Sequence, residues 1–248
     1  MTRLHATIRN VPETTPSTRR HRAGTPDLSI VMPVLDEAQC VVTALDRLAA
    51  WQREGVEVIV VDGGSVDGTA ALASGRADAV IASPPGRALQ MNAGAARARG
   101  GILLFLHADT RLPADAPAAI TRALARGAAW GRFDVSIEGR SALFPLIAAL
   151  MNWRSALSGI ATGDQAMFMR CSAFGTVGGF PEQPLMEDVA LSRALLRLGR
   201  PARLRGRAVT SGRRWEKNGV WSTIWMMWRL RWLYWRGTPV EALAEAYR

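Results

Sequence analysis

The chain has 248 residues, 48% of them hydrophobic and 21% charged, with a formal net charge of +10 at pH 7. That length suits one α/β domain with appendages, and two distant cysteines, Cys40 and Cys171, with no CxxC pair argue against a disulfide scaffold or a zinc site of the usual spacing and fit a reducing cytosol. The positive charge is almost wholly arginine, Lys217 being the one lysine; it reflects either compositional bias or an anionic partner, and without a basic helix or an aromatic-basic motif it does not point to nucleic acid.

Residues 1–26 are rich in Arg, Thr and Pro with no apolar period, and read as a disordered basic tail. Strands and helices alternate from Leu28: a strand over 28–35, a helix over 38–53, a strand over 56–61, a short helix from Val66 and a strand over 79–82. A helix over 87–99 and a buried strand over 101–106 follow. This order implies a mostly parallel sheet flanked by helices. Further on, the pattern predicts a helix over 115–126 and a strand over 131–138 that is exposed on one face. It then predicts an apolar helix over 143–157, a helix over 186–198 and a last strong helix over 220–236. The apolar helix is shorter than the ~20 residues needed to span a bilayer.

The most informative stretch is Val58-Ile59-Val60-Val61-Asp62-Gly63-Gly64-Ser65-Val66-Asp67-Gly68-Thr69. A continuous β-branched run suits a strand buried on both faces, and the crevice of an open α/β sheet lies beyond the carboxyl ends of its strands. Asp62 sits at such an end, and so does Asp109 after Leu103-Leu104-Phe105-Leu106-His107-Ala108. Asp109 is either a turn cap or a ligand for a hard cation that takes its other oxygens from a diphosphate. Glu187-Asp188 opens a helix, as dipole partners or as a carboxylate base for a hydroxyl. There is no Gly-Lys-Ser/Thr and no GxGxxG after a strand, so neither a P-loop nor a dinucleotide fingerprint is present.

Together these segments resemble glycosyltransferase family 2, which has the GT-A fold. Pro33-Val34-Leu35-Asp36-Glu37 is similar to the family's Pro-x-x-Asn-Glu, and Val60 to Thr69 to its Val-Asp-Asp-Gly-Ser-x-Asp-Gly-Thr turn. Asn92-Ala93-Gly94 matches its Asn-x-Gly, His107-Ala108-Asp109 its Asp-x-Asp and Glu187-Asp188 its Glu-Asp, while Arg213-Arg214-Trp215 is loosely similar to Gln-x-x-Arg-Trp. Gly163-Asp164-Gln165, the segment from Phe105 to Pro113 and Arg213-Arg214-Trp215 narrow the resemblance to a bacterial subgroup described as radical-SAM/selenodomain-associated transferases.

The resemblance implies a metal-dependent, inverting transfer of a sugar from a nucleotide-sugar, by family habit a UDP-sugar, to a hydroxyl acceptor. It places Pro33, Glu37, Asp62, Arg87 and Asn92 around the nucleotide-sugar. Asp109, with His107 beside it, would hold Mn²⁺ or Mg²⁺, and Asp188 would be the catalytic base. Asp164, Gln165, Arg214 and Trp215 would line the acceptor side. Two departures bear on this. Gly63 stands where the family often has a base-reading carboxylate, and His107 replaces the first acid of Asp-x-Asp. Imidazole suits Mn²⁺ better than Mg²⁺.

Trp221, Trp225, Trp228, Trp232 and Trp235 recur at helical spacing, and at ~100° per residue they fall within about 80° of one another. With arginines beside it, the stripe suits an anionic membrane surface, where it would bring the enzyme to a lipid-linked or membrane-bound acceptor, or packing on its own domain, or a homodimer interface. The expected organisation is a tail over 1–26, a GT-A domain over 27–215 and an amphipathic helical segment over 216–248. The expected location is the cytoplasm, peripheral at the inner face of its membrane. Two other functions compete. A sugar-phosphate nucleotidyltransferase would have a Gly-rich basic loop after the first strand, which Pro33 to Glu37 lacks. A non-catalytic nucleotide-binding homologue has no need of both Asp109 and Asp188.

Overall fold

Two runs of β-branched residues form the middle of the molecule. β1 (Leu28–Val34) and β2 (Glu57–Asp62) are buried along their whole length and pair in parallel, with Val31 beside Ile59 and Val34 beside Asp62. The protein is described from a computed structural model covering residues 26–247. The tail expected over residues 1–26 therefore lies outside the described residues except for Pro26.

α1 (Ala38–Arg53) joins β1 to β2. α2 (Thr69–Ala73), β3 (Ala79–Ala82), α3 (Arg87–Arg97) and β4 (Ile102–Phe105) complete the alternation. The short helix begins at Thr69 rather than Val66. Gly68 takes a left-handed φ of 88°, and the N–H of Val66 donates to Asp36 Oδ1 rather than entering a helical ladder.

The second half is less regular: β5 (Thr110–Arg111), α4 (Ala116–Ala125), β6 (Trp130–Glu138), α5 (Phe144–Ser158), β7 (Phe168–Arg170) and α6 (Cys171–Thr176). α7 (Glu187–Leu195), β8 (Ala202–Ser211), α8 (Arg213–Asn218), α9 (Val220–Trp235) and α10 (Val240–Tyr247) follow. The eight strands lie in the order β3-β2-β1-β4-β7-β6-β8-β5. β3, β2, β1 and β4 are parallel, as the alternation predicts. β7 then runs antiparallel to both β4 and β6, while β8 pairs in parallel with β6 and antiparallel with β5. The sheet is thus mixed.

Its two faces carry separate cores because successive strand residues point to opposite sides. Ile30, Met32, Val58, Val60 and Leu104 pack with Leu45 and Leu48 of α1. Val31, Ile59, Val61, Leu103 and Phe105 pack with Met91 of α3 and with Leu191 and Leu195 of α7. Gly94 lets α3 sit close, since a Cβ there would lie 2.3 Å from Val31 Cγ1.

β6 departs from expectation. Its alternation predicts one exposed face, yet both faces are covered along most of its length. The polar phase contains Arg132, 1% exposed, whose Nη1 lies 2.5 Å from Asp134 Oδ1. Arg203 of β8 closes the pair with Nη2 2.8 Å from Asp134 Oδ2. Burial pushes the Asp134 carboxyl up, but hydrogen bonds from Arg203 and Arg132 outweigh it and hold the group below its ordinary value. Ion pairing, not solvent, accounts for this strand's polarity.

α5 and α9 lie side by side. Ile147 and Ala148 pack in a cluster with Val220 and Ile224, and Arg154 and Ser158 meet Arg231 and Tyr234 further along. Leu230 of α9 and Leu243 of α10 are buried against Met186 and Val189, which flank the start of α7. The tryptophan stripe does not pack on the domain. Trp221, Trp225, Trp228, Trp232 and Trp235 are between 53% and 75% exposed. Leu146, Leu150, Trp153 and Leu157 form a matching exposed stripe on α5. No helix among the described residues is long and apolar enough to cross a membrane.

Candidate active site

The carboxyl ends of β1 and β2 are fastened to each other by their own acids. Asp36, at a left-handed φ of 52°, accepts from Val66 N–H, and its own N–H donates to Ser65 Oγ. The Glu37 N–H donates to Thr69 Oγ1, and Asp67 Oδ2 accepts from Ala38 N–H at the start of α1. Thr69 chiefly, with the Ala38 amide, holds the Asp67 carboxyl below its ordinary value. Asp62 accepts from Gly64 N–H, Ser65 N–H and Ser65 Oγ. Both Asp62 oxygens thus shape the turn that the sequence assigns to nucleotide binding.

Gly63 has a structural counterpart. A Cβ at this position would meet the Gln90 side-chain amide at 3.0–3.2 Å. Gln90 Nε2 donates to the carbonyls of Val34 and Val61 at 2.8 and 2.9 Å, stapling the ends of the two strands. Gln90 thus lies beside the position where the family often carries a second acid. Nothing in its chemistry as a mid-helix glutamine distinguishes it in the sequence.

Beyond β4, Asp109 is half-buried and accepts from Thr110 Oγ1 at 3.2 Å. Arg213 lies 3.5 Å from Glu37 Oε2. Burial pulls its pKa down, but Cys40 first, then Glu37 and last Asp109 outweigh burial and raise it. Arg213 therefore pairs with Glu37 and feels the charge of Asp109, an acid of a different motif. Cys40 donates to Glu37 Oε2 at 2.8 Å, and burial, then Glu37, push its thiol up to about 12.

Pro33, Leu106, His107, Gly163, Glu187 and Asp188 line one narrow crevice at these strand ends. Asp188 Oδ2 accepts from Gly163 N–H at 2.9 Å. A Cβ on Gly163 would lie 2.5 Å from His107 Nε2, so any other residue would have to displace the imidazole. Glu187 is 5% exposed. Burial first, then the Asp188 charge, push its carboxyl up to about 7, and Arg87 partly offsets them. Arg87 thus has its charge directed at this acid, and Glu187 is a perturbed carboxyl at a crevice of the kind that marks functional sites.

Other expected site residues are held by local contacts. Asn92 donates to the Phe180 carbonyl at 2.8 Å and accepts from the Phe180 N–H at 2.9 Å, so it clamps the backbone of a residue that lines the same crevice. Gln165 is fully buried, its Oε1 accepting from Thr162 N–H across the 3-10 turn Gly163–Gln165. It serves the turn, not an open acceptor surface. Trp215 packs against the cluster of Val135, Ile137 and Phe144, which assigns it to packing. Asp164 is half-buried, with its charge felt by Arg231. The side chain of Arg214 lies outside the described residues.

The fold with this crevice has relatives among solved structures. One is the mannosyltransferase PcManGT from Pyrobaculum calidifontis in complex with GDP-Man and Mn²⁺, at 22% identity over 84% of this chain and 61% of that one, TM-score 0.62. A second is S. aureus TarS 1–349 in complex with UDP-GlcNAc, at 16% identity over 75% of this chain and 58% of that one, TM-score 0.60. A third is mannosyl-3-phosphoglycerate synthase from Rubrobacter xylanophilus, at 17% identity over 86% and 76% of the two chains, TM-score 0.59. This chain spans about three fifths of the length of the first two, 61% and 58%. No curated protein sequence matches it. A family model, "Glycosyl transferase family 2", matches residues 29–175, which is more than half of the chain and includes both Asp62 and Asp109. On that match, the chain belongs to glycosyl transferase family 2.

Proposed function

We propose that the protein transfers a sugar from a nucleotide-sugar to an acceptor hydroxyl with inversion, and that Asp188 is the base. The observation that carries the reading is the fixed position of Asp188. It is half-buried, held by the Gly163 amide, and lines the same crevice as Pro33 and His107 at the strand ends. The acceptor oxygen bonds to the anomeric carbon as the bond from that carbon to the diphosphate breaks. The electron pair leaves with the nucleoside diphosphate, and the acceptor proton goes to Asp188.

The described residues contain no group of three or more His, Cys, Asp or Glu that could hold a metal ion by themselves. Asp109 and His107 fit a cation that takes the rest of its ligands from a diphosphate. Such an ion, Mn²⁺ or Mg²⁺, would stabilise charge on the leaving group. Arg213 supplies positive charge beside Glu37 and Asp109. The relatives bound to GDP-Man, UDP-GlcNAc and Mn²⁺ support a nucleotide-sugar and a divalent cation for this chain too. UDP is the first nucleotide to test, and the three motifs that resemble the radical-SAM/selenodomain-associated subgroup add no substrate.

The surface reading is an anionic membrane. The stripes of α5 and α9 both face away from the core. Arg229 and Arg236 lie over the rings of Trp225 and Trp232, 5.5 and 4.9 Å from the centroids. Indoles and arginines in this arrangement suit the head-group level.

A thermal-shift series with UDP, GDP, ADP and CDP, each with Mn²⁺ or Mg²⁺, tests the donor site. One nucleotide with one metal should raise the midpoint, since a ligand of the native state stabilises it. Absence of any shift at millimolar nucleotide would overturn the transferase reading.

A further inference from the structure

Behind the first turn of α7 lies a second cavity of about 180 Å³, lined by Arg154 and Ser158 of α5, Met186, Val189 and Arg193 near α7, and Arg231 and Tyr234 of α9. One water needs only ~15 Å³ of such space, so a group the size of a phosphate or diphosphate fits. Three of the lining residues are arginines. Nε and Nη2 of Arg154 and Nε of Arg231 are buried with no hydrogen-bond partner among the described residues. Arg193, exposed at the mouth, stacks over Tyr234 at 5.3 Å.

Elsewhere the fold pairs its buried arginine: Arg132 has Asp134 at 2.5 Å. Arg154 and Arg231 instead repel each other, and the Arg154 pKa is pulled down to about 10 by burial and then by the Arg231 charge. Asp188 is the acid that both arginines feel, and Arg231 feels Asp164 as well. Buried guanidinium donors left without a partner beside a cavity are costly unless an anion completes them. Arginine's planar fork matches a phosphate.

We propose that this cavity binds the phosphate or diphosphate group of the acceptor, with the acceptor hydroxyl reaching past Met186 to Asp188. The inference rests on the reading of Asp188 as the base and names the acceptor class for that site. The anion is an anchor and takes no part in bond exchange. Its two sources are a soluble phosphorylated acceptor and a lipid diphosphate, the second entering between α5 and α9 from the apolar face described above.

The test uses the full chain saturated with the nucleoside diphosphate and metal that stabilise it, so the donor site does not compete. Inorganic diphosphate and farnesyl diphosphate are titrated calorimetrically, the latter both free and in phosphatidylcholine vesicles. The expected result is saturable binding that weakens at least tenfold in Arg154→Gln and in Arg231→Gln. Arg193→Gln, at the exposed mouth, provides a variant whose folding is not in question and should weaken binding as well. The nucleotide shift, retained in all three, reports an intact fold. Equal affinity for the inorganic and isoprenoid forms supports the soluble source. Tighter binding of the vesicle form supports the lipid source. No binding of either form while the nucleotide still binds, or binding that is unchanged in all three variants, overturns the proposal and leaves the donor reading standing.

Discussion

The Gly163 N–H donates to Asp188 Oδ2 at 2.9 Å although 25 positions separate the two residues. The other carboxylate oxygen accepts from Val189 N–H at 2.7 Å. The Gly163 site also lies against His107 Nε2, where a Cβ would stand at 2.5 Å. One glycine therefore touches both the proposed base, through its amide, and the histidine of the Asp-x-Asp-like motif, through its missing Cβ.

Asp188→Asn keeps an oxygen for the Gly163 amide but removes the proton acceptor. Turnover should fall by about 10²–10⁴, the usual contribution of a general base, while the nucleotide-induced thermal shift stays at the wild-type value. Gly163→Ala should displace His107 or Asp188 and lower turnover on the order of 10²-fold, since misplacement by about 1 Å costs that much. Full activity in Asp188→Asn would remove this residue from the mechanism.

Glu187 gives a pH signature. Its carboxyl is pushed from an ordinary 4.5 to about 7 by burial and then by Asp188. Between those values the folded chain holds a proton that the unfolded chain has lost. The unfolded state thus binds fewer protons, and this group makes stability fall as pH rises through that window. Glu187→Gln removes the effect. The midpoint of wild type minus that of Glu187→Gln should be larger at pH 5 than at pH 8. A difference that is constant across that range would show that Glu187 ionises normally.

Gly63 and Gln90 should behave as a coupled pair. Gly63→Ala pushes against the Gln90 amide at 3.0–3.2 Å, and Gln90 is held by two strand carbonyls. Overpacking of this kind costs about 1–3 kcal/mol. In a Gln90→Ala background the obstacle is gone, so the second substitution should cost less than in wild type. Chemical denaturation of the four chains gives the coupling directly. Strict additivity would mean that Gln90 moves aside freely, and the link between this residue and the missing acid would dissolve.

The parallel half of the fold was legible because the apolar runs of β1 and β2 and the helical periods of α1 and α3 each exceed five residues. α1 and β3 fall on their expected bounds, residues 38–53 and 79–82. β5 and β7, two and three residues long, carry no periodic signal and owe their form to neighbouring strands. β6 was mistaken for a half-exposed strand because an arginine and an aspartate look solvated until Arg203 arrives from 69 positions away. Within the site, the acids at strand ends could be read from sequence. Their division of labour could not: Asp62 and Asp67 tie turns, Asn92 clamps Phe180, and Arg213 rather than Trp215 meets the acids. Such roles depend on hydrogen-bond partners remote in sequence.

The exposed stripes of α5 and α9 lead to the last prediction. Trp228 and Trp232 are 75% and 53% exposed, and Arg236 lies over the Trp232 ring. If an anionic bilayer covers this face, wild type should pellet with phosphatidylglycerol vesicles and much less with phosphatidylcholine alone. The double variant Trp228→Ala/Trp232→Ala should remain mostly in the supernatant, with its melting midpoint little changed because neither indole is buried. Added salt should weaken binding without abolishing it, since charges at the surface are screened within ~10 Å at 0.1 M while indole insertion is not. Equal pelleting of both chains would sink the membrane reading. A second outcome is also decisive: if wild type sediments as a dimer without lipid and the double variant as a monomer, the stripe is an interface between two copies of this chain.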